Sequence, residues 1–456
     1  MIKLFISFIL ICSFSAYAED VKGAQEIRVQ LATNNPLTPI YLGSIQDEQS
    51  GMDRSYLAQL ESVLQFDLNF NGTSKLLAKN DQKEQLLSQI DPQASFNAEK
   101  WKTLGIAWVL KASVSNKKLS LSAFSVQTGA VKAFKDISLV GSLIQDRKQI
   151  HKLADGLCLA MFNKIGVANS RILYSGQTKS SSANSGEWVS EIWECDWDGM
   201  NARQVTKENS YCVTPLFVPA SVPNHSSDKF IYVSYKKGQP KIFIASLREG
   251  VGKRFIDLRG NQLLPTISPK RDKIAFISDA AGRTDLFIQH IYLDKGQMGT
   301  PVQLFSYPRS TQASPTFSPD GSKIAFVSDK DGSARIYTIP ATPNEKRANP
   351  VLISKQNSES SCPAWSPDGT KLAYSAKSGG VRQIWIYDFA SGEERQLTSG
   401  AGNKENPAWA SNSLHLVFNS TDSASSEIYL VNLNQPEAIK ISKDPGKKHY
   451  PTWGTR

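Results

Sequence analysis

Self-similarity at a fixed spacing constrains this chain more than any single motif does. A proline, a small or aliphatic residue, an aromatic or aliphatic residue and usually a serine recur as Pro265-Thr-Ile-Ser, Pro315-Thr-Phe-Ser, Pro363-Ala-Trp-Ser, Pro407-Ala-Trp-Ala and Pro451-Thr-Trp-Gly. Pro215-Leu-Phe-Val is a degenerate first copy. The prolines stand 50, 50, 48, 44 and 44 residues apart. Periods of about 40 to 50 residues belong to arrays in which each unit is a small four-stranded sheet.

The interior of each repeat reads as that sheet. Ser318-Pro-Asp-Gly and Ser366-Pro-Asp-Gly are tight turns, with serine opening, proline presetting φ and glycine closing. Second strands follow as Lys273-Ile-Ala-Phe, Lys323-Ile-Ala-Phe, Lys371-Leu-Ala-Tyr and His415-Leu-Val-Phe. Third strands alternate in Arg335-Ile-Tyr-Thr-Ile, Gln383-Ile-Trp-Ile-Tyr and Glu427-Ile-Tyr-Leu-Val; Arg395-Gln-Leu-Thr and Ile439-Lys-Ile-Ser supply fourth ones.

The two ends of the array are incomplete in complementary ways. Arg171-Ile-Leu-Tyr, Glu191-Ile-Trp-Glu-Cys and Arg203-Gln-Val-Thr lack a proline strand ahead of them, whereas Pro451-Thr-Trp-Gly has nothing after it. Joined, they form one sheet, close the array into a ring and remove its exposed edges. Five internal blades and this shared one predict a six-bladed β-propeller closed by the C-terminal strand. A linear β-solenoid would need shorter repeats and end caps.

Residues before the array mix helical and strand patterns without a repeat, which predicts a separate α/β domain. Its helix over Gln145–Asn163 carries Ile150, Leu153, Ala154, Leu157, Cys158, Met161 and Phe162 on one stripe. A second helix is expected over Arg54–Leu64, and strands over Trp108–Val114, Lys118–Val126 and Ala130–Ser138 with Gly129 at a turn. Ile27 to Leu31 is an edge strand or a mobile segment. The expected division is 1–18 signal peptide, 19–166 α/β domain and 167–456 propeller. Lys3 ahead of the apolar Leu4–Phe14 run, with Ala16-Tyr-Ala18 after it, reads as a cleaved secretory signal.

The formal charge of +10 is dispersed, with no basic block that would mark a nucleic-acid or lipid surface. Cys158, Cys195, Cys212 and Cys362 are too scattered for a disulfide framework, although one bridge remains open. No cofactor or metal is expected. Asp196 and Asp198 lack calcium-loop spacing and suit a turn. His151 is read as a structural hydrogen-bonding group, with general base the less favoured alternative. Trp365, Trp409 and Trp453 recur at one blade position and are assigned to packing between blades. Without a GxSxG elbow, HExxH or P-loop, the chain is expected not to be an enzyme.

Several stretches add a resemblance. Pro363-Ala-Trp-Ser-Pro-Asp-Gly369, the junction Arg147-Lys-Gln-Ile-His151-Lys-Leu-Ala-Asp155 followed by Arg171-Ile-Leu-Tyr-Ser, and Asp198-Gly199 with Arg203-Gln-Val-Thr206 resemble the TolB family, periplasmic components of the Tol-Pal system. The resemblance implies a scaffold that binds Pal, the peptidoglycan-associated lipoprotein. It further implies that the N-terminal segment around Ile27, Arg28 and Val29 contacts TolA of the inner membrane. The complex would support outer-membrane integrity and envelope constriction during division. The alternative is a propeller-containing periplasmic hydrolase or peptidase accessory protein.

Propeller geometry locates the binding face. Loops leading into the innermost strands gather at one mouth of the channel, which brings together Asn261, Gln262 and Leu264; Arg309, Ser310, Gln312 and Ala313; Glu359 and Ser360; Lys404 and Glu405; and His449. In the family this mouth receives Pal. Arg309 is the residue suited to a bidentate contact with an acidic partner. A coupling is also expected, in which the N-terminal segment docks or releases according to whether the mouth is occupied.

Overall fold

The structure, a computed structural model, describes residues 27–33, 35–90, 96–179, 188–221, 227–293, 297–343 and 349–454. The signal-peptide reading lies outside these residues.

Helix α1 (Arg54–Phe70) forms because Leu57, Leu60, Val63, Leu64 and Leu68 fall on one face, and all five are buried. Helices α2 (Asp81–Ser88) and α3 (Glu99–Lys102) are short, and α4 spans Leu143–Phe162. Asn163 ends α4 in the left-handed region at φ 52°, donating its N–H to the Leu159 carbonyl. The sheet runs Ser74–Leu76, Thr38–Leu42, Trp108–Ser115, Lys118–Ser125, Val131–Ser138, parallel in its first pairs and antiparallel in the rest. Helices α1 and α4 cover one face, through Leu60, Leu64, Ile150 and Leu157. The other face packs Tyr41, Val109 and Phe124 on Leu87 and Trp101 of α2 and α3. Sequence patterning found the three antiparallel strands and both long helices. It missed Thr38–Leu42 and Ser74–Leu76, which are too short to show a period.

Six antiparallel sheets of four strands follow among the described residues, one of them carrying an extra short strand, Gln297–Met298, paired with Ile291 and Tyr292. Five are contiguous in sequence, with innermost strands Cys212–Phe217, Gln262–Ile267, Gln312–Phe317, Ser361–Trp365 and Asn403–Trp409. The sixth has Lys447–Gly454 innermost, paired antiparallel with Arg171–Lys179 so that Gly454 faces Arg171. The ring thus closes as the incomplete ends require. Trp409 donates its indole N–H to the Ala364 carbonyl of the preceding blade at 3.0 Å, and Trp453 donates to Ser170 Oγ at 2.6 Å. Trp365 stacks on Phe389 at 4.8 Å.

One apolar cluster runs from the α/β layer into the ring, joining Leu64, Leu153 and Leu157 to Ile172, Trp197, Val417 and Ile441. The two parts share a core, which makes the joint between them a packed interior and not a hinge.

Candidate functional site

The innermost strands do not run straight. In each one the register shifts at the residue preceding the repeat proline: Val213/Leu216, Leu263/Thr266, Ala313/Thr316, Ser361/Ala364, Glu405/Ala408 and His449/Thr452. The residues at those bulges, Thr214, Leu264, Ser314, Cys362, Asn406 and Tyr450, all have φ between 46° and 53°. A residue before proline normally stays extended, and a non-glycine side chain in the left-handed region costs roughly 1–2 kcal/mol. Six such residues repeat around the ring, which concentrates backbone strain in its innermost strands. Sequence reading found the prolines and missed the bulges. The pre-proline residues vary from Thr to Tyr, and only their position carries the signal.

Side chains at these bulges meet across blades. Cys362 Sγ donates to Asn406 Oδ1 at 3.1 Å, and Asn406 Nδ2 donates to Asn419 Oδ1 at 2.8 Å. Burial raises the Tyr450 pKa, and Tyr211, Cys362, Glu405 and Tyr235 around it raise it further. Tyr211 and Tyr235 meet edge-on at 5.8 Å. Burial likewise raises the Glu405 carboxyl, opposed by Arg382 at 3.6 Å. It lowers His449 to about 4, with Lys447 adding to the shift.

The twelve residues expected at the mouth divide into three groups. Arg309 and Glu359 are exposed, in left-handed conformations at φ 59° and 61°. Asn261, Leu264, Ala313, Glu405 and His449 are partly exposed. Gln262, Ser310, Gln312, Ser360 and Lys404 are instead buried, which corrects the expectation that they offer contact surface. They build the loops: Gln262 Nε2 donates to the Leu258 carbonyl at 2.8 Å and Gln262 Oε1 accepts from Ile242 N at 3.2 Å. The Lys404 ammonium caps the carbonyls of Gly400 at 2.7 Å and Gly402 at 2.9 Å, and burial lowers its pKa to about 8. Polarity alone cannot separate a loop-capping lysine from a displayed one.

Ile27 to Thr33 lies between the fourth and fifth contiguous blades. Arg28 pairs with Ser399 and Val29 with Thr398, and the amides of Gln30 and Ala32 donate to the carbonyls of Leu397 at 2.8 Å and Leu433 at 3.1 Å. The Val29 side chain is buried among Ile384, Ile386, Leu397, Val431 and Leu433. The edge-strand reading of this segment therefore holds for Arg28–Val29, with the propeller as its partner.

The opposite face of the ring holds the joint. His151 on α4 bonds Asp67 on α1, Nδ1 to Oδ2, at 2.7 Å, and Trp197 of the propeller donates to Asp67 Oδ1 at 2.8 Å. Arg147 pairs with Asp198, and His415 Nε2 lies 2.8 Å from the Phe70 carbonyl. Burial would lower the His151 pKa, but the carboxylates of Asp67, Asp198 and Asp196 raise it on balance. The structural reading of His151 is the one seen. Ligand atoms of His151, Asp196 and Asp198 lie within 4.8 Å of one another, a metal-like grouping. The Arg147 guanidinium already occupies Asp198, and Asp196 accepts from Asn201 Nδ2 at 2.6 Å within the turn, so the chain itself supplies the positive charge there. Cys158, Cys195, Cys212 and Cys362 are free thiols, all with pKa values raised by burial.

A six-bladed ring closed by its C-terminal strand, with an α/β domain packed on one face and a bulge in each innermost strand, defines a class of two-part propeller proteins. Within it, the chain belongs to the TolB family: a family model described as the TolB beta propeller domain matches residues 160–456. A TolB homolog of Protochlamydia amoebophila is 46% identical over 89% of this chain and 86% of the relative. One of Chlamydia trachomatis serovar L2 is 36% identical over 84% and 80%. The solved TolB of Acinetobacter baumannii superposes with a TM-score of 0.71 at 19% identity, covering 94% of this chain and 99% of that one. The last likeness concerns the fold alone.

Proposed function

We propose that this chain is a non-catalytic, periplasmic protein-binding scaffold of the Tol-Pal system, exported after cleavage behind Ala18 and divided at 166/167. Its mouth binds Pal, its N-terminal segment communicates with TolA, and the assembly maintains outer-membrane integrity and envelope constriction during division. Family membership supports this reading, and no helix among the described residues is long and apolar enough to cross a membrane. The observation that supports it most is that Arg309 and Glu359 are exposed and hold left-handed backbones, at φ 59° and 61°, just ahead of the bulged innermost strands. Strained, fixed loops bind without first paying to be ordered.

The docked segment from Ile27 to Thr33 supports the coupling. It is held by a two-residue pairing, the amide hydrogen bonds of Gln30 and Ala32, a Thr33–Asn434 side-chain bond and one buried valine, a short element at the chain's edge that a ligand at the mouth can bias. Calorimetric titration with soluble peptidoglycan-associated lipoprotein tests the reading. Saturable binding lost in Arg309→Glu is expected; no binding by the wild-type chain would remove the partner assignment. Peptidase or esterase turnover by the pure protein would remove the non-catalytic one.

A further inference from the structure

Charges scattered along the sequence converge on the face opposite the mouth. A cleft of about 670 Å³ between α4 and the propeller is lined by Lys148, Lys152, Arg171, Arg203 and Arg248, with Asp228 in its wall. Lys148 and Lys152 are four residues apart on α4, hence on one side of it. Arg203 starts the outermost strand of the closing blade, and Arg248 sits in a turn of the next blade. Four separate elements therefore aim cations at one space.

Two of these cations are held in place. Glu194, buried behind the cleft, accepts from Arg171 Nη1 at 2.5 Å and pairs with Arg203. The Leu247 carbonyl also accepts from Arg203 Nη2, at 3.0 Å. Lys148, Lys152 and Arg248 have no ion pair among the described residues. Five cations thus face two carboxylates. Like charges one helical turn apart are unfavourable on a bare surface, and their cost is offset when an anion sits between them.

We propose that this cleft is a second protein-docking site, for a short carboxylate-rich peptide segment of a partner. Arg171 and Arg203 are engaged by Glu194 and by the Ser227 and Leu247 carbonyls, which leaves the exposed Arg248 guanidinium to take the planar fork of a carboxylate, with Lys148 and Lys152 as charges beside it. The volume lies in the range of sites that take a few side chains and not a folded domain. Asp228 favours a peptide over a phosphate ester, because a peptide brings N–H donors for that carboxylate and a phosphate brings only further negative charge. The site is independent of what the mouth binds, since it lies on the other face of the ring.

Fluorescence anisotropy of the full chain with a short labelled peptide of alternating Asp and Glu tests the assignment. Saturable binding is expected, weakened by about tenfold or more in the Lys148→Glu/Arg248→Glu double variant and by raising salt from about 0.05 to about 0.5 M. Lys237→Glu/Lys355→Glu makes the same change in net charge on the mouth side and is expected to leave binding within about twofold. Absence of saturable binding, or equal loss in both double variants, overturns the proposal. Displacement of the peptide by inorganic phosphate at equal concentration reassigns the cleft to phosphate ligands and overturns it too. All four residues are exposed, so unchanged circular dichroism melting is the check that folding is intact.

Discussion

The two faces of the ring solve opposite problems with the same repeated unit. Inside the joint, charged groups are buried and paired: His151 with Asp67, Arg147 with Asp198, and Trp197 bonded into the same group. On the mouth face the exposed charges Arg309 and Glu359 sit on loops whose strain lies in the backbone. Buried polar contacts fix a geometry because breaking one leaves an unpaired charge. Displayed charges are exchangeable, since removing one leaves only a solvated loop. Substitutions in the buried pairs of the joint should therefore damage the fold, and those of displayed charges should damage recognition.

The sharpest way to break this contrast is His151→Leu. It strips the buried Asp67 of its hydrogen-bonding partner on α4, and a stability loss of about 3 kcal/mol is expected by urea denaturation. A wild-type midpoint would mean that the joint is not fixed by this pair.

Acid probes the joint differently. Burial lowers the His415 pKa to about 4, opposed by its bond to Phe70, against about 6.5 when unfolded. The native state holds the ring neutral, so the stability it contributes is present above pH 6.5 and is lost as pH falls towards 4. The difference is about 3 kcal/mol. His415→Asn should lose that much less than wild type across the same window, measured by denaturation at successive pH values.

Val29→Asp sharpens the comparison at the rim. A carboxylate in that apolar slot undocks the N-terminal segment, and the amides of Gln30 and Ala32 should lose hydrogen-exchange protection while global stability falls by about 1 kcal/mol or less. Arg309→Glu is the smallest effect: stability within about 0.5 kcal/mol of wild type. A larger drop would show that the mouth is structural after all.

How much of this the sequence revealed depended on whether a feature is periodic. Repeat prolines and complementary ends made the blade number and ring closure legible, and the apolar stripe from Ile150 to Leu157 marked α4. Nothing local marks Asp67 as the partner of His151, because they are 84 residues apart and meet only across two helices. The bulges were invisible for another reason. Left-handed conformations are usually signalled by glycine or asparagine, yet here Leu264, Cys362 and Tyr450 are forced into them by the ring. Dispersion of lysine and arginine along the chain likewise argued against a basic surface, and folding gathered five of them around one cleft.

The closing strand has a consequence for how the chain matures. Pairing residues 447–454 with 171–177 links positions some 280 residues apart, contacts that form slowly because so much chain must be ordered before they are rewarded. Until the last strand arrives, Arg171–Lys179 is an unpaired edge, open to intermolecular pairing. The final eight-residue strand therefore acts as a completeness check. A chain without this strand is expected to keep that edge exposed, and only one that carries it can seal the ring.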